Sequence, residues 1–260
     1  MTQRAAPELA YVLHHHDWSE TSLIVELFTL RLGRLVVVAK GVKRPTSQLR
    51  AVLLPFQPVQ ALLGRSRGET EAELRTLRGA EWVGGVALLP AAAMFSGFYL
   101  NELLLRLLAR QDPHPALFEI YSETLQALAL GLDEACCLRS FELGLLHETG
   151  VLPKLDVATL TTQALQPHVP YALHAEAGVL QREGGLPGSH WLALAAAMGL
   201  SGAAERIQAL RRVCAALASA HRAALREQLR DVLDYHLGQQ GLRTRQVMRG
   251  VQRLNEGAVS

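Results

Sequence analysis

Residues 9–40 read LAYVLHHHDWSETSLIVELFTLRLGRLVVVAK, and this stretch decides the fold of the first third of the chain. Along 9–15, Leu9, Tyr11 and Leu13 fall on one side while Ala10, Val12 and His14 fall on the other. A side-chain period of two is the mark of a strand. Residues 21–28 and 34–40 are rich in β-formers, including Val25, Val36, Val37 and Val38. The intervening 17–20 and 31–33 suit short turns, so the three segments read as consecutive hairpins.

Two more strands are expected downstream. Residues 51–63 are β-rich but carry Pro55 and Pro58. Proline cannot donate to a ladder, so this strand is expected to be bulged or at an edge. Residues 69–82 alternate, with Ala72 and Leu74 facing in and Glu71, Glu73 and Arg75 facing out. Five strands before residue 83, with no long helix among them, predict a small Greek-key barrel of the OB type.

The period then changes. Leu100, Leu103, Leu104, Leu107 and Leu108 recur at helical spacing over 96–110. Pro115 suits the first turn of a second helix that runs to Leu130 and is closed by Gly131. Asp133 is placed to cap a third, carrying Leu138, Phe141, Leu145 and Leu146 and ending at Gly150. Residues 151–190 read as irregular, with Pro153, Pro167, Pro170 and Pro187 and a small hairpin pairing 171–173 with 179–181. From Ala203 one apolar stripe runs through Ile207, Leu210, Cys214, Leu217, Leu225, Leu229 and Val232, which predicts two helices broken near 218–220. A short basic helix is expected over 243–254. The chain therefore reads as an α+β multi-domain protein. An OB-fold barrel covers 1–82, a mainly α-helical domain covers 83–150 and 200–260, and an irregular insert covers 151–199.

Composition removes several classes of function. Of the 260 residues, 49% are hydrophobic and 19% charged, which is globular composition. The longest apolar run, at 191–198, is far too short to span a bilayer. No apolar core followed by a small-residue cleavage site opens the chain, so no secretory signal is expected. Three cysteines without a C-x-x-C spacing exclude a disulfide framework or a cysteine-rich zinc site and fit a reducing cytoplasm.

Net charge, +2, hides an asymmetry. Residues 1–80 carry 11 Lys/Arg against 7 Asp/Glu, residues 81–199 carry 5 against 12, and residues 200–260 carry 10 against 5. A basic head, an acidic middle and a basic tail suggest one surface for a polyanion and a second for something else.

Catalytic motifs fail on inspection. His14, His15 and His16 offer at most His14 and His16 to one face of a strand, and two ligands do not make a metal site. His147-Glu148 opens like H-E-x-x-H, but Val151 stands where the second His belongs. Cys136 and Cys137 lie in an apolar helical stretch and read as packing. No phosphate-binding glycine loop or nucleophile elbow occurs. An enzyme is disfavoured, and neither a metal nor a cofactor is expected. The suggestive residues are basic. Arg31, Arg34, Lys40, Lys43, Arg44, Arg50, Arg65 and Arg67 all sit at expected turns and strand ends, where OB barrels meet nucleic acid. With few aromatics nearby, backbone contact without base reading is expected.

Other residues carry a likeness. Ala10-Tyr11-Val12-Leu13 followed by Trp18-Ser19-Glu20-Thr21-Ser22-Leu23 resembles the opening of the bacterial recombination mediator family RecO. So do Gly33-Arg34-Leu35, Val38-Ala39-Lys40-Gly41 and Leu54-Pro55-Phe56-Gln57-Pro58. The segments 96–104, 138–143 and Gly241-Leu242-Arg243-Thr244-Arg245 continue the match, from about residue 8 to 254. The resemblance implies an OB domain, then a helical domain interrupted by a zinc-finger-like insert. It implies a DNA repair and recombination protein that binds single- and double-stranded DNA and anneals complementary strands. It further implies action with RecR to load RecA onto strands coated by single-stranded-DNA-binding protein (SSB), in the bacterial cytoplasm and at the nucleoid. The chain departs from the family at one point. Many members carry four cysteines in the insert, whereas residues 151–190 here carry none, so the insert is expected to bind no zinc. A small core of Leu160, Leu165, Tyr171, Leu173, Val179 and Leu180 is expected to hold it instead.

Two surfaces follow. The basic barrel, continued by Arg243, Arg245, Arg249 and Arg253, would take phosphates. The helical domain would take the SSB tail, which as the resemblance implies is acidic and ends in a hydrophobic residue with a free carboxylate. Of the five cations in the acidic middle (Arg106, Arg110, Arg139, Lys154 and Arg182), Arg139 is the first choice for that contact. The opposing reading of Arg139 is an ion pair with Glu142 or Glu134 on its own helix. The rival classes are an adaptor that docks RecR and SSB without annealing, and a metal-dependent nucleic-acid enzyme.

Overall fold

A computed structural model describes residues 6–64, 74–238 and 241–247. The chain divides into two compact units, residues 1–118 and 119–260.

The first unit is built on a closed five-stranded barrel. Its strands are β1 (Glu8–Asp17), β2 (Leu23–Thr29), β3 (Gly33–Ala39), β4 (Pro58–Leu63) and β5 (Leu74–Trp82), in the order β1-β2-β3-β5-β4. Only β3 and β5 pair in parallel. Closure leaves no open sheet edge, as in an OB barrel. Alternate side chains fill the interior: Ala10 and Val12, Val25 and Leu27, Leu35, Val37 and Ala39, Val59, Ala61 and Leu63, with Leu77 from β5. The two prolines act differently from expectation. Residues 49–52 form a helical turn, α1 (Leu49–Val52), and β4 starts only at Pro58, a position where no ladder donor is needed. The register shift near its end sets Leu62 opposite Gly79 and Leu63 opposite Leu77, so the extra residue is Arg78 on β5 and the expected bulge is not in this strand. Of the fifth strand's assigned facings, Glu71, Ala72, Glu73 and the Leu74 side chain lie outside the described residues, while Arg75, set opposite the core residue Val37, takes the inner side and not the outer one expected.

A second bulge governs β1. The register with β2 shifts between Val12 and His14, leaving Leu13 as the extra residue. A bulge reverses the parity of every later side chain. Ala10 and Val12 point into the barrel, and beyond the bulge His15 takes that side, paired with the core residue Val25. A bulge also frees backbone carbonyls, and buried carbonyls need partners. Asn101, 2% exposed, donates its side-chain amide to Leu13 O at 2.9 Å and to Val12 O at 3.4 Å. Asn101 belongs to helix α2 (Met94–Leu107), which follows a 3-10 turn at Ala91–Ala93. The change of composition near residue 82 marks the end of the sheet, but the compact unit continues because α2 and the chain after it pack on the barrel's outside. Phe118 covers Tyr11 and Phe28, with ring centroids 5.3 and 5.4 Å away. Gly33, at φ +70°, sits where a Cβ would meet Asp112 O at 2.1 Å, and Gln111 N donates to Arg34 O.

The second unit is helical around a small sheet. Helix α3 (Pro115–Ala129) leads into it, followed by α4 (Glu134–Glu148). Gly131 and Gly150 take the positive φ expected after the two helices, and Asp133 caps α4 by accepting from Cys136 N. Strands β6 (Pro170–His174), β7 (Gly178–Gln181) and β8 (Leu186–Pro187) form a sheet in the order β7-β6-β8. Then come α5 (Gly188–Met198), α6 (Ala203–Ala216) and α7 (Ser219–Leu237), with a break at 217–218 as the stripe predicted. Residues 243–247 are helical, and the rest of the predicted terminal helix lies outside the described residues. Among the described residues no helix is long and apolar enough to cross a membrane.

The insert departs from its reading in two ways. Its last part, residues 188–198, is a helix rather than irregular chain. Its core also differs. Leu165, Tyr171, Leu173 and Val179 are buried and Leu180 is half-buried, but Leu160 is 76% exposed. Trp191 from α5 replaces it, fully buried and donating its indole N–H to Tyr171 O. The Tyr171 hydroxyl in turn accepts from Gln166 N, and Thr159 ties to Val179 through both its backbone and its hydroxyl. Gln228 of α7 accepts from Leu173 N.

Candidate nucleic-acid interface and a cationic helical cleft

The basic residues of the barrel divide into two groups. Arg31 closes on Glu8: its backbone N–H and its Nε both donate to that carboxylate, and the ion pair is 2.8 Å long. Glu8 is buried, so it needs this partner. Arg34, with 14% of its side chain exposed, pairs with Glu26 at 3.1 Å and donates to Leu108 O. Arg110 shares the same Glu26 at 3.2 Å. Arg31 and Arg34 therefore brace the unit, each engaged with a carboxylate that local sequence did not reveal.

Lys40, Lys43, Arg44 and Arg50 form the second group. They lie after β3 and on α1, at the end of the barrel where β1 stops and β2 begins. Lys40, Arg44 and Arg50 are exposed. Lys43 reaches Asp17 at 3.0 Å and Ser19 O at 3.1 Å. Beside them is an open cleft of about 430 Å³ lined by His15, Asp17, Leu23, Val42, Lys43, Arg50, Leu53, Leu54 and Pro55. Exposed cations round such a cleft suit a polyanion. Arg65, Arg67, Arg249 and Arg253 lie outside the described residues. Arg243 is exposed, while Arg245 pairs with Asp234 at 2.6 Å.

His14 and His16 share a face as expected, with ring centroids 4.3 Å apart, and His15 points elsewhere. Among the described residues no group of three or more His, Cys, Asp or Glu is arranged to hold a metal ion.

In the second unit, α4, α6 and α7 enclose a cleft of about 250 Å³. Ala135, Cys136, Cys214, Ala223 and Leu225 supply apolar surface, and Arg139, Arg222 and Arg226 supply charge. Each of two arginines is oriented by a carboxylate. Arg139 bonds to the buried Glu142 one turn along α4, and Arg222 pairs with Asp133 at 3.3 Å. Arg139 is thus paired on its own helix, as the opposing reading had it, and it also lines a cleft. Sequence reasoning passed over Arg222 and Arg226, although their i,i+4 spacing beside the Leu225–Leu229 stripe puts them at the edge of a buried face. The surroundings of the thiols disfavour the thiolate. Burial raises Cys136 and Cys137 above the ordinary range and pushes Cys214 up to about 12, so the nucleophilic thiolate is suppressed.

Comparison with known proteins fits both units. Residues 6–86 match the family model described as Recombination protein O N terminal, and residues 91–246 match Recombination protein O C terminal. The chain is 47% identical to a DNA repair protein RecO of Variovorax paradoxus, covering 96% of this chain and 98% of that one. It is 46% identical to a DNA repair protein RecO of Albidiferax ferrireducens, covering 98% and 99%. A third, from Delftia acidovorans, is 47% identical over 97% and 98%.

Proposed function

The chain belongs to the recombination protein O (RecO) family of DNA repair proteins, and on that premise we propose that it is a recombination mediator that anneals complementary strands coated by SSB. One observation carries the reading: Lys43 and Arg50 line an open cleft at one end of an OB-type barrel, and Lys40 and Arg44 are exposed on the same stretch after β3. Neutralising phosphates of two strands on such a surface lowers their mutual repulsion and lets bases pair. The reaction needs proximity and charge neutralisation only, so no catalytic residue, nucleotide or metal is assigned. The cleft with Arg139, Arg222 and Arg226 supports a second contact. An acidic peptide with a hydrophobic last residue would bury that side chain against Ala135 and Leu225 and present its carboxylate to the arginines. RecR as working partner, delivery of RecA and a place in the bacterial cytoplasm complete the proposal, on the family's pattern.

The test is annealing of complementary oligonucleotides, naked or SSB-coated, without nucleotide or metal and across a salt series. Annealing is expected to fall with salt and to be lost in a Lys40/Lys43/Arg44→Ala variant. Arg139→Ala is expected to anneal naked strands normally and SSB-coated strands poorly. Wild-type protein that shifts no DNA and anneals nothing would overturn the proposal in favour of an adaptor.

A further inference from the structure

We propose that the turn joining β1 to β2 is a base-stacking subsite for single-stranded nucleic acid, with Trp18 as its platform. The inference rests on the nucleic-acid reading above and adds strand selectivity to it. Beyond the bulge β1 no longer pairs with β4 but only with β2, and residues 14–18 are all exposed. Trp18 directly follows β1 and is 60% exposed. A single exposed indole needs no explanation by itself; what marks Trp18 is the fixed backbone beneath it and the cations beside it. Here the backbone is pinned. Trp18 N and Ser19 N both donate to Ser22 O, and Ser22 N donates to the Ser19 hydroxyl.

The same turn is tied to the cationic loop. Lys43 N donates to Thr21 O, Lys43 Nζ to Ser19 O, and Gly41 N to the Ser22 hydroxyl at the edge of bonding distance. Trp18 is therefore carried beside Lys43 by fixed backbone. Its chain neighbour Asp17 lines the cleft that Lys43 and Arg50 also line. A stacking face next to paired cations is how sequence-tolerant single-strand sites are built. In a duplex both faces of each base are already covered, so the platform adds nothing there. Trp82 shows the contrast: it too is exposed, but its indole N–H is spent holding Val52 O.

Asp17 sharpens the idea. Its carboxylate is 79% exposed and sits 3.0 Å from Lys43 Nζ, where an incoming phosphate would lie. Strand binding must displace it, so Asp17→Asn is expected to tighten binding.

The experiment is tryptophan fluorescence of the full chain in a Trp82→Phe background, titrated with oligo-dT and with a duplex of equal length. That background keeps Trp18 and the buried Trp191. Oligo-dT is expected to quench and the duplex to leave emission unchanged. Trp18→Ala is expected to weaken oligo-dT binding roughly tenfold, leave duplex binding alone, and be rescued by Trp18→Tyr. Trp18→Ala with unchanged oligo-dT affinity, while Lys43→Ala weakens both ligands, would overturn the subsite and leave the wider function standing. Wild type that binds neither ligand would overturn both.

Discussion

The two cationic clefts are built on opposite plans. At the barrel end the charges sit on loops and a single helical turn, mostly exposed, with one carboxylate, Asp17, itself in water. In the helical unit the charges sit on α4 and α7, and Glu142 and Asp133 orient two of them. Loop cations adapt to a polymer whose phosphates recur along its length. Helix-borne, carboxylate-braced arginines suit one short ligand with one carboxylate in a fixed place. The same residue type serves avidity in one unit and geometry in the other.

A contrast between one glycine of each unit gives the largest expected effect. Gly33→Ala places a Cβ against Asp112 backbone at a positive φ, so about 3 kcal/mol of stability is expected to be lost. Gly144→Ala in the helical unit meets the Ile120 side chain, Cδ1 at 3.2 Å and Cγ2 at 3.3 Å, and gains helix propensity, so its net effect is expected to be under about 1 kcal/mol. Chemical denaturation of the two variants checks the pair. Equal losses would break the distinction between a glycine packed on backbone and one packed on a side chain.

Next in size is binding. Lys40/Lys43/Arg44→Ala is expected to weaken single-strand affinity by on the order of tenfold to hundredfold and to lower the salt slope by about 2. Arg222→Ala with Arg226→Ala should leave both quantities unchanged while weakening an acidic peptide. A common salt slope for the two ligands would erase the difference between the clefts.

A smaller effect tests the brace. Asp133 is held below the ordinary carboxylate range, first by the Cys136 N–H it accepts and further by Arg222. Its contribution is present above its ordinary value of 3.8 and lost as pH falls through the lowered one. Asp133→Ala at neutral pH is expected to cost about 1 kcal/mol, or a few degrees in Tm by calorimetry. It should also weaken peptide binding through Arg222 while sparing DNA.

The smallest effect belongs to the helical unit alone. Burial, and then the neighbouring His221 ring 4.8 Å away, hold the His190 imidazole below its ordinary 6.5. The unfolded chain therefore takes up its proton first. Stability is expected to fall as pH drops below 6.5, and His190→Gln should flatten that dependence in a pH series of melting curves.

Reading the chain in one dimension succeeded wherever burial is one-sided. Val25 and Leu27, or Leu35, Val37 and Ala39, face a barrel interior and alternate accordingly. Helix α5 was missed because residues 191–198 are apolar throughout and so show no period at all. Leu160 was misplaced because hydrophobicity says what would gain from burial, not what finds room for it. The basic head was legible as a cluster, but its division was not. Glu8 reaches Arg31 across 23 positions, and the shared Glu26 meets Arg110 across 84.

The sequence by itself determined the barrel, the run of helices, the capping of α4 by Asp133 and the family. These rest on period, local hydrogen bonding and motif order, which are properties of neighbours in the chain. Only the tertiary structure decided that Arg31 and Arg34 pair with Glu8 and Glu26, that Arg139, Arg222 and Arg226 line one cleft, and that a bulge at Leu13, held by Asn101, turns His15 toward the mouth of the barrel. Charge pairing and side-chain direction depend on distances in space, and those exist only once strands and helices distant in sequence have closed on one another.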